Sequence, residues 1–148
     1  MENREFKILI FSINGIYYAT DIMNVERILG YETTTQIPDS PEFIEGVINY
    51  EGKILPIINL AKRFNLRGEI TTSDSKIIVS NQKHGKYGMI VDLVSEVKDV
   101  NTDMMEEAPE VIGGISRRYL KGLVKIEDKI VITLDLEKIL TEQEKDLL

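Results

Sequence analysis

Gly46-Val-Ile-Asn-Tyr-Glu-Gly-Lys-Ile-Leu-Pro-Ile-Ile-Asn-Leu60 decides the fold. Two runs rich in Val and Ile, 47–50 and 53–58, are separated by Glu51-Gly52 alone. Short β-branched runs so close together predict a hairpin, with Gly52 supplying the positive φ of a tight turn. Pro56 cannot donate to a ladder, which places it on a strand edge or beside a bulge. Leu60 and Phe64 then fall on one face of a short helix.

The same pattern returns 76 residues later without a gap. Gly46 meets Gly122, Glu51 meets Glu127, Lys53 meets Lys129, Ile54 meets Ile130 and Leu60 meets Leu136. Each copy is preceded by a further predicted hairpin. The first turns at Asn14-Gly15, the second in Gln82-Lys-His-Gly85. The unit is thus hairpin, link, hairpin, helix, made twice. Small strand-rich units of this kind close as barrels, and two of them bury a shared core.

Other segments are read from their punctuation. Ile22, Val25 and Ile28 fit either a short helical turn or a bent strand. Ser40 and Pro41 carry the cap and first-turn signals of a helix start. Residues 65–75, with Gly68, form a polar connector, and 101–114, with Gly113-Gly114, an acidic irregular stretch. Leu136, Ile139 and Leu140 form an apolar stripe that predicts a C-terminal helix capped by Asp135.

The 148 residues suffice for one compact domain, or for two small modules sharing a core. No window approaches the ~18 consecutive apolar residues of a membrane-spanning helix, so no direct membrane insertion is expected. The start Met-Glu-Asn-Arg-Glu lacks the pattern of a secretory signal, and there is no cysteine; both favour a cytoplasmic setting. A net charge of −7 disfavours nucleic acid, whose phosphates require clustered Lys and Arg.

Catalysis finds no support in the sequence. His84, the single histidine, sits in a turn with no partner in view. Asp103, Glu106, Glu107 and Glu110 do not have EF-hand spacing, and there is no phosphate-cradling loop or nucleophile elbow. No catalytic residue, metal or cofactor is therefore assigned. What remains is surface: Leu9, Ile22, Val25 and Val94 lie near the ends of elements in the two units. They are either ordinary core or the lining of a groove between barrels. Such a groove would take an amphipathic helix.

These residues carry a family resemblance across nearly the whole chain. The 46–60 stretch resembles the G-V-I-N-L-R-G-x-I-x-P-V-x-D-L signature of the CheW chemotaxis coupling proteins. Ile37-Pro-Asp-Ser-Pro-Glu-Phe43 resembles the family's proline loop, and Tyr87-Gly-Met-Ile-Val-Asp-Leu-Val94 its second-barrel hairpin. The resemblance implies a mainly β fold of two SH3-like five-stranded barrels on a shared hydrophobic core, with short helices. The expected division is 14–75 and 76–148 within a single 1–148 domain, the N-terminal strand being able to pair across.

By resemblance the chain is a non-catalytic adaptor bridging the cytoplasmic tip of methyl-accepting chemoreceptors to the regulatory domain of the histidine kinase CheA. Leu9, Ile22, Val25 and Val94 then match the receptor-binding groove, and Arg27, Asn49, Glu51 and Gly52 the kinase and receptor interface hairpin. Two other readings stand beside this one: a regulatory module of a CheA- or CheV-type protein, or a generic SH3-like peptide-binding module. A chain of this one domain favours the free adaptor. The chain departs from the family at two contact positions, Glu51 where Arg is usual and Arg27 where Glu is usual. Opposite reversals predict that the two residues face each other as an ion pair with its ends exchanged.

Overall fold

The protein was analysed as a computed structural model, which describes residues 4–66, 74–112 and 115–147. Most of the predicted connector and the Gly113-Gly114 pair lie outside the described residues. In chain order the strands are β1 (Glu5–Ile13), β2 (Ile16–Asp21), β3 (Val25–Gly30), β4 (Ile44–Tyr50) and β5 (Lys53–Asn59). The short helix α1 (Leu60–Arg63) follows, then β6 (Lys76–Gln82), β7 (Gly85–Val91), β8 (Leu93–Asn101) and β9 (Met105–Glu106). The minor pair β10 (Val111–Ile112) and β11 (Ile115–Ser116) precedes β12 (Leu120–Ile126) and β13 (Lys129–Leu134).

These strands form two SH3-like sheets, one ordered β3-β6-β7-β5-β4 and the other β8-β1-β2-β13-β12-β9. Each closes through the continuation of its own first edge strand. Beyond β3, Thr35 exchanges both backbone hydrogen bonds with Val47 of β4 at 2.9 Å. Beyond β8, Met105 and Glu106 pair with Val124 and Leu123 of β12. The repeat extends to the bulges: both second hairpins shift register at the matched glycines Gly46 and Gly122.

Period-2 alternation sorts the strands' residues between three cores. Ile48, Leu55, Ile57, Ile77, Val79 and Ile90 fill the first barrel; Ile8, Ile10, Ala19, Val100, Val124 and Val131 fill the second. The opposite faces of the same strands, among them Leu9, Phe11, Ile58, Ile78, Tyr87 and Ile132, meet in the largest cluster, between the barrels. The expected shared core is therefore present.

The expected division at 75/76 does not coincide with the sheets. β6 and β7 belong with β3–β5, whereas β1 and β2 belong with β8, β12 and β13. Each barrel thus takes its first hairpin from the other sequence repeat, and the segment that resembles a second-barrel hairpin, 87–94, has its β7 portion in the first. The exchange is fixed by matched parallel pairings, Ile57 with Gly88 and Thr133 with Ala19.

Two predicted helices are also revised. After Pro41 the chain makes only a turn, with the Ile44 amide bonded to the Pro41 carbonyl at 3.0 Å, because β4 begins at Ile44. Ser40 does not cap; its hydroxyl donates to the Ile37 carbonyl. The C-terminal stripe forms two short 3-10 segments, Leu136–Lys138 and Glu144–Leu147. Leu136, Ile139 and Leu140 are buried as their pattern requires, and Asp135 does cap, accepting from the Glu137 amide. At 22–28 both readings hold in part: a 3-10 turn, Ile22–Asn24, leads into β3.

Candidate functional site: an apolar groove and a charged hairpin

The chain passes between the barrels at two short crossovers. At the first, the Asp21 carboxylate accepts from the Met23 amide at 2.9 Å and turns the chain from β2 into β3. At the second, Asp92 alone separates β7 from β8, and its carboxylate accepts from the Asn14 amide at 2.7 Å. Ile22 and Val25 flank the first crossover and Val94 the second. All three are half-buried against the shared core.

Leu9 belongs to that core itself and is 2% exposed, so it has no surface with which to line a groove. Two further apolar residues, neither assigned to the groove from the sequence, stand beside these. Ile28 lies opposite core residue Ile78 on the β3–β6 ladder, and Val97 opposite Leu9 on the β1–β8 ladder. Directly opposed residues share a face, so both look toward the shared core, yet they are 41% and 48% exposed. A sequence signal for them exists: Val25-Glu-Arg-Ile28 and Val94-Ser-Glu-Val97 have the same β-branched spacing, each across a register shift. Met23, 84% exposed, lies in the turn of the first crossover.

The second cluster sits at the β4–β5 turn. Glu51 (φ 52°) and Gly52 (φ 80°) both have the positive φ of a two-residue hairpin turn, and the Asn49 side-chain oxygen accepts from the Gly52 amide at 3.0 Å. Arg27 and Glu51 face each other, Nη2 to Oε2 3.5 Å, as their exchanged charges predict. Beside them Tyr50 donates its phenol proton to the Glu26 carboxylate, which also pairs with Lys86 Nζ at 2.8 Å.

The hydrogen bonds from Lys86 and then Tyr50 hold the Glu26 carboxyl below its ordinary range. The same bond to Glu26, followed by burial, pushes the Tyr50 phenol up to about 12. Tyr50, Glu51, Leu55, Pro56 and Lys86 border a cavity of about 290 Å³, with the side chain of Ile54 77% exposed at its edge. The arrangement offers an apolar contact ringed by fixed charges. Among the described residues no group of three His, Cys, Asp or Glu is placed to hold a metal ion. No helix among them is long and apolar enough to cross a membrane.

Two SH3-like barrels fused through one shared core define a double-barrel β module. The CheW-like domain profile matches residues 7–144, and the chain belongs to the CheW-like family. Chemotaxis protein CheW of Klebsiella aerogenes is 35% identical over 94% of this chain and 84% of its own length. That of Thermotoga maritima is 33% identical over 94% and 90%. Among solved structures, the crystal structure of the scaffolding protein TtCheW from Thermoanaerobacter tengcongensis matches with a TM-score of 0.83 at 38% identity. That match covers 90% of this chain and 86% of the other.

Proposed function

We propose that this protein is a non-catalytic chemotaxis adaptor that couples the cytoplasmic tip of transmembrane chemoreceptors to the regulatory domain of the histidine kinase CheA. It would work in the cytoplasm, within the membrane-associated receptor assembly. The observation that carries the reading is the set of incompletely covered apolar residues on β3, on β8 and at the first crossover, beside the shared core. We read Ile22, Val25, Ile28, Val94 and Val97 as β-branched walls over a core floor, since the first, second and fourth pack half-buried against the core and the other two are exposed, in a chain whose relatives are chemotaxis proteins. Such walls suit the apolar face of a helical hairpin, with anchors three and four residues apart. A receptor state transmits a signal through this contact only by binding the adaptor–kinase assembly with a different affinity than another state does.

The groove is tested with Ile28→Glu and Val97→Glu, assayed against a synthetic receptor-tip helical hairpin and, separately, the kinase regulatory domain. A carboxylate desolvated in the contact is expected to cost the receptor hairpin about tenfold or more in affinity. Kinase binding should stay intact. Equal losses toward both partners, or none toward the receptor, would refute the assignment.

The charged hairpin is tested with a double-mutant cycle of Arg27→Glu and Glu51→Arg. Both side chains are about half exposed, 54% and 55%, so their pairing adds only ~0–1 kcal/mol to fold stability. Its expected effect is on the partner: each single reversal weakens kinase binding, and the double variant recovers part of the loss. Normal binding by both singles, or a double no better than the worse single, would exclude the pair from the interface.

A further inference from the structure

Arg63 occupies a position that the repeat does not need as a charge. Its counterpart 76 residues on is Ile139, fully buried in the shared core. An apolar side chain therefore serves the fold at that place in one repeat, while the other carries an arginine whose side chain is only 11% exposed.

Among the described residues, each contact of that guanidinium spans or borders the barrel junction. From α1, in the first barrel's half, Nε donates to the Ile139 carbonyl at 2.9 Å. Nη2 and Nη1 donate to the two oxygens of Glu144 at 2.8 and 3.2 Å. The Phe43 ring lies 4.7 Å away and the Tyr119 ring 5.5 Å, the one leading into β4 and the other into β12. Phe43 and Tyr119 are also repeat partners. Glu144 is held from behind by a reciprocal cap: its carboxylate accepts from the Thr141 amide, and its amide donates to the Thr141 hydroxyl.

We propose that Arg63 is a positioning residue that fixes the angle between the two barrels and thereby the width of the apolar groove. The groove half of this inference rests on the adaptor reading above. The physical division of labour is direct. Apolar burial in the shared core is strong but non-directional, so it permits small rocking of one barrel on the other. The two covalent crossovers lie at the groove and act as its hinge. A forked guanidinium–carboxylate pair with a third bond to backbone has fixed geometry. It ties the barrels through residues that do not line the groove.

The chain has no cysteine, so exposed Asn81 of β6 and Lys125 of β12 accept paired spin labels as Asn81→Cys and Lys125→Cys without background. The labelled parent protein is expected to give one narrow inter-label distance. Arg63→Met, which keeps the apolar stem, should shift or broaden it and weaken binding of the receptor-tip helical hairpin about tenfold. Arg63→Lys keeps the charge but loses the fork, so it should fall between the two in both measurements.

An unchanged distance in Arg63→Met overturns the clamp whatever the hairpin does. A changed distance with unchanged affinity overturns the coupling to the groove. Failure of the parent protein to bind the hairpin overturns the adaptor reading, while the label distances still decide the clamp. If Arg63→Met does not fold, Glu144→Gln weakens the same pair with its shape kept and must broaden the distance in its place.

Discussion

Gly46→Ala is expected to destabilise the protein by about 3 kcal/mol or more, through backbone conformation and a direct collision together. Gly46 has φ 150°, a region closed to residues with a Cβ, and it sits at the β4 bulge. A Cβ there would stand 2.5 Å from the Thr35 carbonyl oxygen and 2.9 Å from the Thr34 side chain. That carbonyl accepts the Val47 amide in the bridge that closes the first barrel. The backbone has no direction in which to yield without opening the closure.

Gly30→Ala is the matched control, since a Cβ at Gly30 would meet nothing within 4 Å; it should be neutral within about 0.5 kcal/mol. Urea unfolding of both variants checks the expectation. Equal midpoints for the two would show that the close approach at Gly46 relaxes at no cost.

Leu9→Ala is expected to cost about 3 kcal/mol of stability, the middle of the range for emptying a buried leucine site. Leu9 is 2% exposed and belongs to the shared core, between Thr20 on β2 and Val97 on β8. The resemblance groups it with Ile22, Val25 and Val94 as groove lining, but those three are half-buried and Leu9 is not. Loss at Leu9 should therefore appear in the unfolding midpoint, and under fully folding conditions the affinity for the receptor-tip hairpin should stay close to that of the parent protein. A variant with an unchanged midpoint and lost binding would return Leu9 to the contact surface.

The contrast between Leu9 and Val97 shows what the sequence encodes about the site. The register on the β1–β8 ladder makes them neighbours on one face, yet one is core and the other nearly half exposed. Alternation assigns a residue to a face of its strand. It does not say whether another barrel covers that face, so the groove's lining was legible only as a set of candidates. The Arg27–Glu51 pair was legible because two charge reversals of opposite sign point to one contact. The Arg63 cluster was not, because its partners are distant in the chain, Phe43 excepted, and no local pattern links them.

Sequence alone determined the local pieces of this protein: tight turns at Asn14-Gly15 and Glu51-Gly52, the strands between them, the Asp135 cap, and the repeat that foretold two barrels. Each rests on short-range chemistry, a backbone conformation or a side chain bonding to an amide a few residues on. Only the tertiary structure decided which hairpin enters which barrel. The hairpins β1–β2 and β6–β7 present the same alternation and the same turn signal, so local pattern does not distinguish their destinations. The choice is made by non-local parallel pairings, Ile132 with Tyr18 and Ile58 with Met89, and by two crossovers short enough to hold the exchanged hairpins in place. Those crossovers sit apart along β1, Asp21 opposite Ile8 and Asp92 bonded to Ser12 and Asn14, and beside each a half-buried valine, Val25 or Val94, packs against the shared core.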